Sequence, residues 1–268
     1  MTILESIILG AVQGITEFLP VSSSGHLQIA KELLGVHIEE NLTFDVALHA
    51  GTVCSTIVIL WSEVKRLFLG LFSTKFNQEQ SYVAKILLSA IPVVIVGFTC
   101  RDALNEMLSS KYIMLIVGAM LLITALLLSF AQYAKPKKRE DIGWGDAIIM
   151  GVAQAVAVMP GISRSGATIA TGILLGARKE RVAEFSFLMV LIPIMGASLL
   201  DVVDIVKGEV VWQSSELMPL VVGFFAAFAV GAAACKFMIE AIRRGKLVWF
   251  AIYCLAASLL SFGLYIWN

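Results

Sequence analysis

GAVQGITEFLPVSSSGHL, residues 10–27, and GVAQAVAVMPGISRSGAT, residues 151–168, decide how this chain folds. Each opens as an apolar stretch and is then broken: by Glu17, Pro20, three consecutive serines and His26 in the first, and by Pro160, Ser163, Arg164 and Ser165 in the second. With a one-residue slip the two share Gly, Gln, Pro and a Ser-x-Ser-Gly core. Proline ends or kinks a helix, so each stretch reads as a broken helical hairpin rather than a straight span. The copies stand half a chain apart, which points to an internal duplication of roughly 130 to 140 residues.

Outward from the hairpins the chain is apolar. It is 59% hydrophobic and 15% charged, against about half and a quarter in soluble domains, and this excludes a water-soluble fold. Runs 112–134, 217–235 and 247–267 contain no charged residue, and each approaches or exceeds the ~20 residues that cross a hydrocarbon core. Shorter or interrupted runs lie at 44–61, 86–100 and 183–200. The fold expected is all-α: a polytopic membrane protein with about six transmembrane helices and two re-entrant hairpins. It forms a single domain over 1–268 made of repeats 1–134 and 142–268, joined by the linker 135–141. Three spans per half force the repeats into opposite orientations, an arrangement in which broken helices meet near the midplane. Residues 1–18 carry Glu5 and no Lys or Arg precedes Lys31, which argues against a signal peptide. The four cysteines are widely spaced, with no C-x-x-C pair, and read as small core residues.

Charge placement tests the topology. If the spans alternate, one side receives Lys65, Arg66, Lys75, Lys135, Lys137, Lys138, Arg139, Arg178, Lys179, Arg181, Arg243, Arg244 and Lys246. That side should be cytoplasmic. The other receives only Lys31, Arg101, Lys111 and Lys207, among acids such as Glu39, Glu40, Asp201 and Asp204. Both termini and the first hairpin then face outward, and the second hairpin enters from the cytoplasm.

Chemistry concentrates at the breaks. A charge at bilayer depth costs at least ~2.5 kcal/mol, so Glu17 and Arg164 are either functional or a structural ion pair joining the hairpins. Gln13 and Glu17 are four apart and share a helix face. Ser22, Ser23 or Ser24 suits a helix cap, and His26 lies within a turn of those hydroxyls. In the second hairpin Ser163 and Ser165 offer hydroxyls, while Arg164 stands where the first has Ser23. A helix N-terminus with a guanidinium fork receives phosphate well. One hairpin thus supplies hydroxyl, carboxylate and imidazole, and the other anion binding. Asp45 and His49 are four apart and suit either the site, a metal, or a plain helix start. His37 falls in a polar connector, and Asp146 reads as a helix cap. Gly10 with Gly14 and Gly172 with Gly176 form G-x-x-x-G pairs suited to close packing.

At QGITEFLPVSSSGHL and PGISRSGAT the sequence resembles the bacterial undecaprenyl-diphosphate phosphatases associated with bacitracin resistance. These stretches correspond to the family's (E/Q)-x-x-x-E motif with its serine-histidine continuation and to its P-G-x-S-R-S-x-x-T motif, with Gln13 where many members have Glu. The resemblance implies hydrolysis of undecaprenyl diphosphate to undecaprenyl phosphate and inorganic phosphate, which recycles the lipid carrier of cell-wall synthesis. It also implies a bacterial cytoplasmic-membrane location, a site open to the outer face, and dependence on a divalent cation, Mg2+ or Ca2+. Glu17, Ser23, His26 and Arg164 become the principal site positions, with Gln13, Ser22, Ser24, Ser163, Ser165, Gly166 and Thr168 binding substrate and Glu17 or Asp45 available to a metal. The expected partners are the polyprenyl diphosphate and bilayer lipid, not nucleic acid; nothing in the sequence sets an oligomeric state. In the mechanism expected, Ser23 attacks the terminal phosphorus while His26, or Glu17 acting through it, accepts the proton, and Arg164 with the N–H groups of 163–166 holds the developing charge. The alternatives are a secondary transporter or a flippase for a phosphate-bearing anion; a carrier needs binding groups but neither nucleophile nor base.

Overall fold

The structure, a computed structural model, describes residues 1–36, 42–134, 141–207 and 217–267. His37, Glu39, Glu40 and the linker cations Lys135, Lys137, Lys138 and Arg139 lie outside the described residues. Among the described residues there are twelve helices and no strand. They are α1 (Ile3–Phe18), α2 (Ser23–Leu34), α3 (Leu42–Ile59), α4 (Trp61–Gly70), α5 (Gln78–Thr99), α6 (Arg101–Leu108), α7 (Ile113–Tyr133), α8 (Trp144–Val156), α9 (Arg164–Leu174), α10 (Lys179–Val206), α11 (Leu217–Arg243) and α12 (Leu247–Trp267). The all-α expectation holds. Helices α5, α7, α11 and α12 are long and apolar enough to cross a membrane, and α3 with α4 adds a fifth candidate as a pair bent by 79°. The bend falls where the apolar run 44–61 gives way to SEVKR, so α4 carries Arg66 beside the exposed Phe68 and Leu69, the composition of an interfacial helix. Helix α10 is 28 residues long and contains the run 183–200.

Both expected hairpins form, as α1–α2 and α8–α9. Helix α1 starts on a capping box, Thr2 Oγ1 accepting from Glu5 N at 3.2 Å and Glu5 Oε2 from Thr2 N at 2.8 Å, and stops before Pro20. Helix α8 starts where the Asp146 carboxylate accepts the Gly143 N–H at 2.8 Å, the cap expected of it.

The expected exchange of the halves would map α1 to α8, α3 to α10, α5 to α11 and α7 to α12; some packing pairs fit it, and others, such as α7 on both α2 and α9, do not. Helix α1 lies on α11 and α8 on α5, while α3 meets α10 and α7 meets α12. The α1–α11 contact depends on Gly10 and Gly14: a Cβ at Gly10 would sit 2.6 Å from the Gly223 carbonyl oxygen, and one at Gly14 would sit 2.8 Å from the Ala227 oxygen. The second glycine pair divides. Gly172 packs on Val182, but Gly176, at φ +91°, turns the chain after α9. The α7–α12 contact is tied by Ser258 and Ser261, whose hydroxyls donate to the Gly118 and Met114 carbonyls at 2.6 Å. All four cysteines are free; Cys235 and Cys254 are core residues as expected, Cys54 is half-buried, and Cys100 at the end of α5 is exposed.

Candidate active site

The hairpin tips meet. Pro20 and Gly166 face one another, as do Gly25 and Gly161, and the Ser165 hydroxyl donates across to the Leu19 carbonyl at 3.2 Å. Thr124 of α7 clamps the second tip, donating to Gly161 O at 3.3 Å and accepting from Ser163 N at 3.1 Å. Each returning helix is capped by the first serine of its motif: Ser22 Oγ accepts from Gly25 N, and Ser163 Oγ from Gly166 N. The backbones differ, however. Ser163 is extended at φ −74°, whereas Ser22 has φ +74°, a conformation that costs a non-glycine residue about 1–3 kcal/mol.

At the junction sits a cluster centred on Glu17, whose side chain is only 6% exposed. Its Oε2 accepts from the Ser23 hydroxyl at 2.6 Å and from Gln13 Nε2 at 2.9 Å; its Oε1 accepts from Arg164 Nη2 at 3.0 Å. The two equivalent positions, Ser23 and Arg164, therefore converge on one carboxylate. A short O–H···O⁻ bond and a guanidinium contact are the charge-assisted interactions that a buried carboxylate needs. His49 of α3 completes the cluster, its Nε2 lying 3.5 Å from Arg164 Nη2 and 4.0 Å from Glu17 Oε2. The guanidinium only donates, so His49 Nε2 is the acceptor, and its Nδ1–H donates to the Asp45 carbonyl at 2.8 Å.

Of the residues expected in the site, Gln13, Glu17, Ser23 and Arg164 are brought together. His26 is not: its Nδ1 bonds the Ser22 carbonyl at 2.8 Å and its Nε2 the Tyr253 hydroxyl at 3.0 Å, so neither ring nitrogen bonds Ser23 or Glu17. Ser22 and Ser163 are caps, and the Gly166 N–H is taken by Ser163. Ser24 is exposed, 3.4 Å from the Ser22 hydroxyl. Thr168 is buried and turned to Ser186 at 2.6 Å, because a helical threonine bonds back to its own preceding turn. Asp45 is paired with Lys31 at 3.1 Å, apart from Glu17. His49 entered through its spacing from Asp45; Tyr253, in the uncharged run 247–267, carried no signal.

A narrow pocket of about 20 Å³, room for a water-sized molecule, opens beside Glu17. Thr52, Thr56 and Ser165 line its polar part, and Phe18, Phe187 and Ile194 its apolar part. Among the described residues no three His, Cys, Asp or Glu side chains gather as a metal cluster. Gln13 Oε1 is buried and has no hydrogen-bond partner.

Residues 6–260 match the family model described as bacitracin resistance protein BacA. The chain is 53% identical over 261 residues to an undecaprenyl-diphosphatase of Parabacteroides distasonis, covering 97% of both chains. It is 52% identical over 259 residues to an undecaprenyl-diphosphatase of Bacteroides thetaiotaomicron, again covering 97% of both. One from Rhodopirellula baltica is 36% identical over 260 residues, 96% of each chain.

Proposed function

The chain belongs to the family of bacitracin resistance protein BacA, and from that premise we propose that this multi-pass membrane protein hydrolyses undecaprenyl diphosphate to undecaprenyl phosphate and inorganic phosphate. The observation that carries the reading is the 2.6 Å bond from the Ser23 hydroxyl to Glu17 with Arg164 on the same carboxylate: a nucleophile, its base and an anion receptor on one centre. A transporter or flippase needs the receptor alone.

The Ser23 hydroxyl passes its proton to Glu17 as its oxygen bonds the terminal phosphorus. The bridging P–O bond breaks, and its electron pair leaves on undecaprenyl phosphate. Arg164 turns from Glu17, whose charge the proton has cancelled, to the phosphoryl oxygens; apart from Nη2, its guanidinium has no protein partner among the described residues. Water then attacks the phosphoserine, releasing phosphate, and Ser23 recovers a proton through Glu17. Glu17 is the direct base here, in place of His26, because the carboxylate rather than the imidazole holds the hydroxyl. The pocket beside Glu17 has room only for a water-sized group, so the prenyl chain stays in lipid.

A divalent cation, Mg2+ or Ca2+, fits the oxygens present. Such ions are often held by one or two carboxylates together with substrate phosphates, and Glu17 with the unpartnered Gln13 Oε1 would hold it. When bound it would neutralise diphosphate charge; Asp45, taken by Lys31, does not fit. The two halves are read as inverted repeats, with the charge-rich side cytoplasmic and the site open to the outer face of the bacterial cytoplasmic membrane. The charge segregation and the exchange of packing partners support this. Phosphate release by detergent-purified protein tests the activity, and lipid movement without release would sink it.

A further inference from the structure

Both nitrogens of His26 are committed. A carbonyl oxygen only accepts, so the 2.8 Å contact with Ser22 O places the proton on Nδ1. In the neutral ring this leaves a lone pair at Nε2, to which the Tyr253 hydroxyl, 3.0 Å away, donates. The two rings lie nearly parallel, 12° apart with centroids at 5.4 Å. Tyr253 belongs to α12, 227 positions along the chain, and its neighbour Cys254 donates from sulfur to Pro20 O at 3.6 Å. Helix α12 therefore grips the first hairpin tip at two successive residues.

What the grip holds is the strained turn. The Ser22 carbonyl accepts twice from His26, from the backbone N at 3.1 Å and from Nδ1 at 2.8 Å. Ser22 is the non-glycine residue with positive φ among the described residues, and the next residue is Ser23. The second tip has Ala167 where the first has His26; its capping serine is unstrained.

We propose that Tyr253 is a positioning residue for the nucleophile: its hydroxyl fixes His26 in the Nδ1–H tautomer, His26 holds the Ser22 carbonyl, and the turn so held aims Ser23 at Glu17. The chain of contacts assigns His26 a place in the reaction that needs no contact with phosphorus. Tyr253 is half exposed, 49%, on the flank of a span, and acts only through the ring it touches. This rests on Ser23 being the attacking group.

The test is Tyr253→Phe, which keeps the ring and removes the donor. Loss of one neutral hydrogen bond that aligns the nucleophile should lower kcat about two- to tenfold, with KM within about twofold of the parent. The protein has three histidines, so ring 15N spectra of histidine-labelled protein are simple to assign. His26 should show the Nδ1–H tautomer in the parent, and its Nε2 resonance should move in Tyr253→Phe while that of His49 stays. An unmoved His26 resonance, an unchanged kcat, or a raised KM at constant kcat would overturn the proposal. The spectrum does not depend on turnover: a parent that releases no phosphate sinks the hydrolase reading, while the shift still decides for or against the pair.

Discussion

Glu17→Gln isolates the base from the scaffold. The replacement keeps the shape of the side chain but removes its charge and turns one acceptor oxygen into a donor. In the parent, Oε2 receives Ser23 and Gln13, and Oε1 receives Arg164. Either orientation of the amide sets a donor against a donor, facing Arg164 in one and Gln13 Nε2 in the other, where the Ser23 hydroxyl has to turn and accept. Loss of a general base costs about 10²- to 10⁴-fold, which at 1.36 kcal/mol per decade is ~3 to 5 kcal/mol of transition-state stabilisation. Breaking a fully buried ion pair costs about 3–5 kcal/mol in stability. Arg164, however, is 24% exposed, so water can take over its fork and the stability loss should fall below that range. The expected outcome is therefore a protein that still melts cooperatively in detergent but releases phosphate at least about 100-fold more slowly at saturating substrate. A Glu17→Gln enzyme within about tenfold of the parental kcat would refute Glu17 as the proton acceptor and return the role to an imidazole.

Arg164→Lys keeps the charge and loses the two-point fork; we expect at least a ~10-fold fall in kcat/KM, and parental activity would reduce Arg164 to a point charge. Ser23→Ala should abolish hydrolysis while lipid binding persists. Ser24→Ala should turn over normally, and Ser22→Ala should remain active but lose about 1 kcal/mol of stability with its cap. Substantial turnover in Ser23→Ala, or a trapped phosphohistidine at 26, would make His26 the attacking group. A cysteine at 40 should be labelled by an impermeant reagent from outside and one at 137 from the cytoplasmic side; the opposite pattern would sink the inverted arrangement.

The hairpins were legible because proline and clustered serines cannot continue an apolar helix, and a lone charge is too costly at bilayer depth to be left unpaired. That reasoning reached Glu17 and Arg164, and the alignment of Ser23 with Arg164 reached their common target. It failed where the deciding contact is side chain to side chain across the fold. Thr168 matched a motif, yet its hydroxyl is consumed by Ser186 and its own helix. His26 stands within one turn of Ser23, which made it the natural acceptor on paper. A histidine three residues along a helix does not reach back when its Nδ1 has a carbonyl at i−4 and its Nε2 a tyrosine from the far end of the chain. Tyr253 was invisible because a tyrosine in an uncharged run reads as a membrane-interface aromatic. The likeness of the two motifs hides the asymmetry: the tips spell nearly the same serine cap, but only the first takes a positive φ at that serine. Two tips of like sequence can thus differ in backbone: one relaxed, with Arg164 at its second position, the other strained, with Ser23 there. On the proposal above, His26, with Ala167 at the matching position of the second tip, keeps that strain in place.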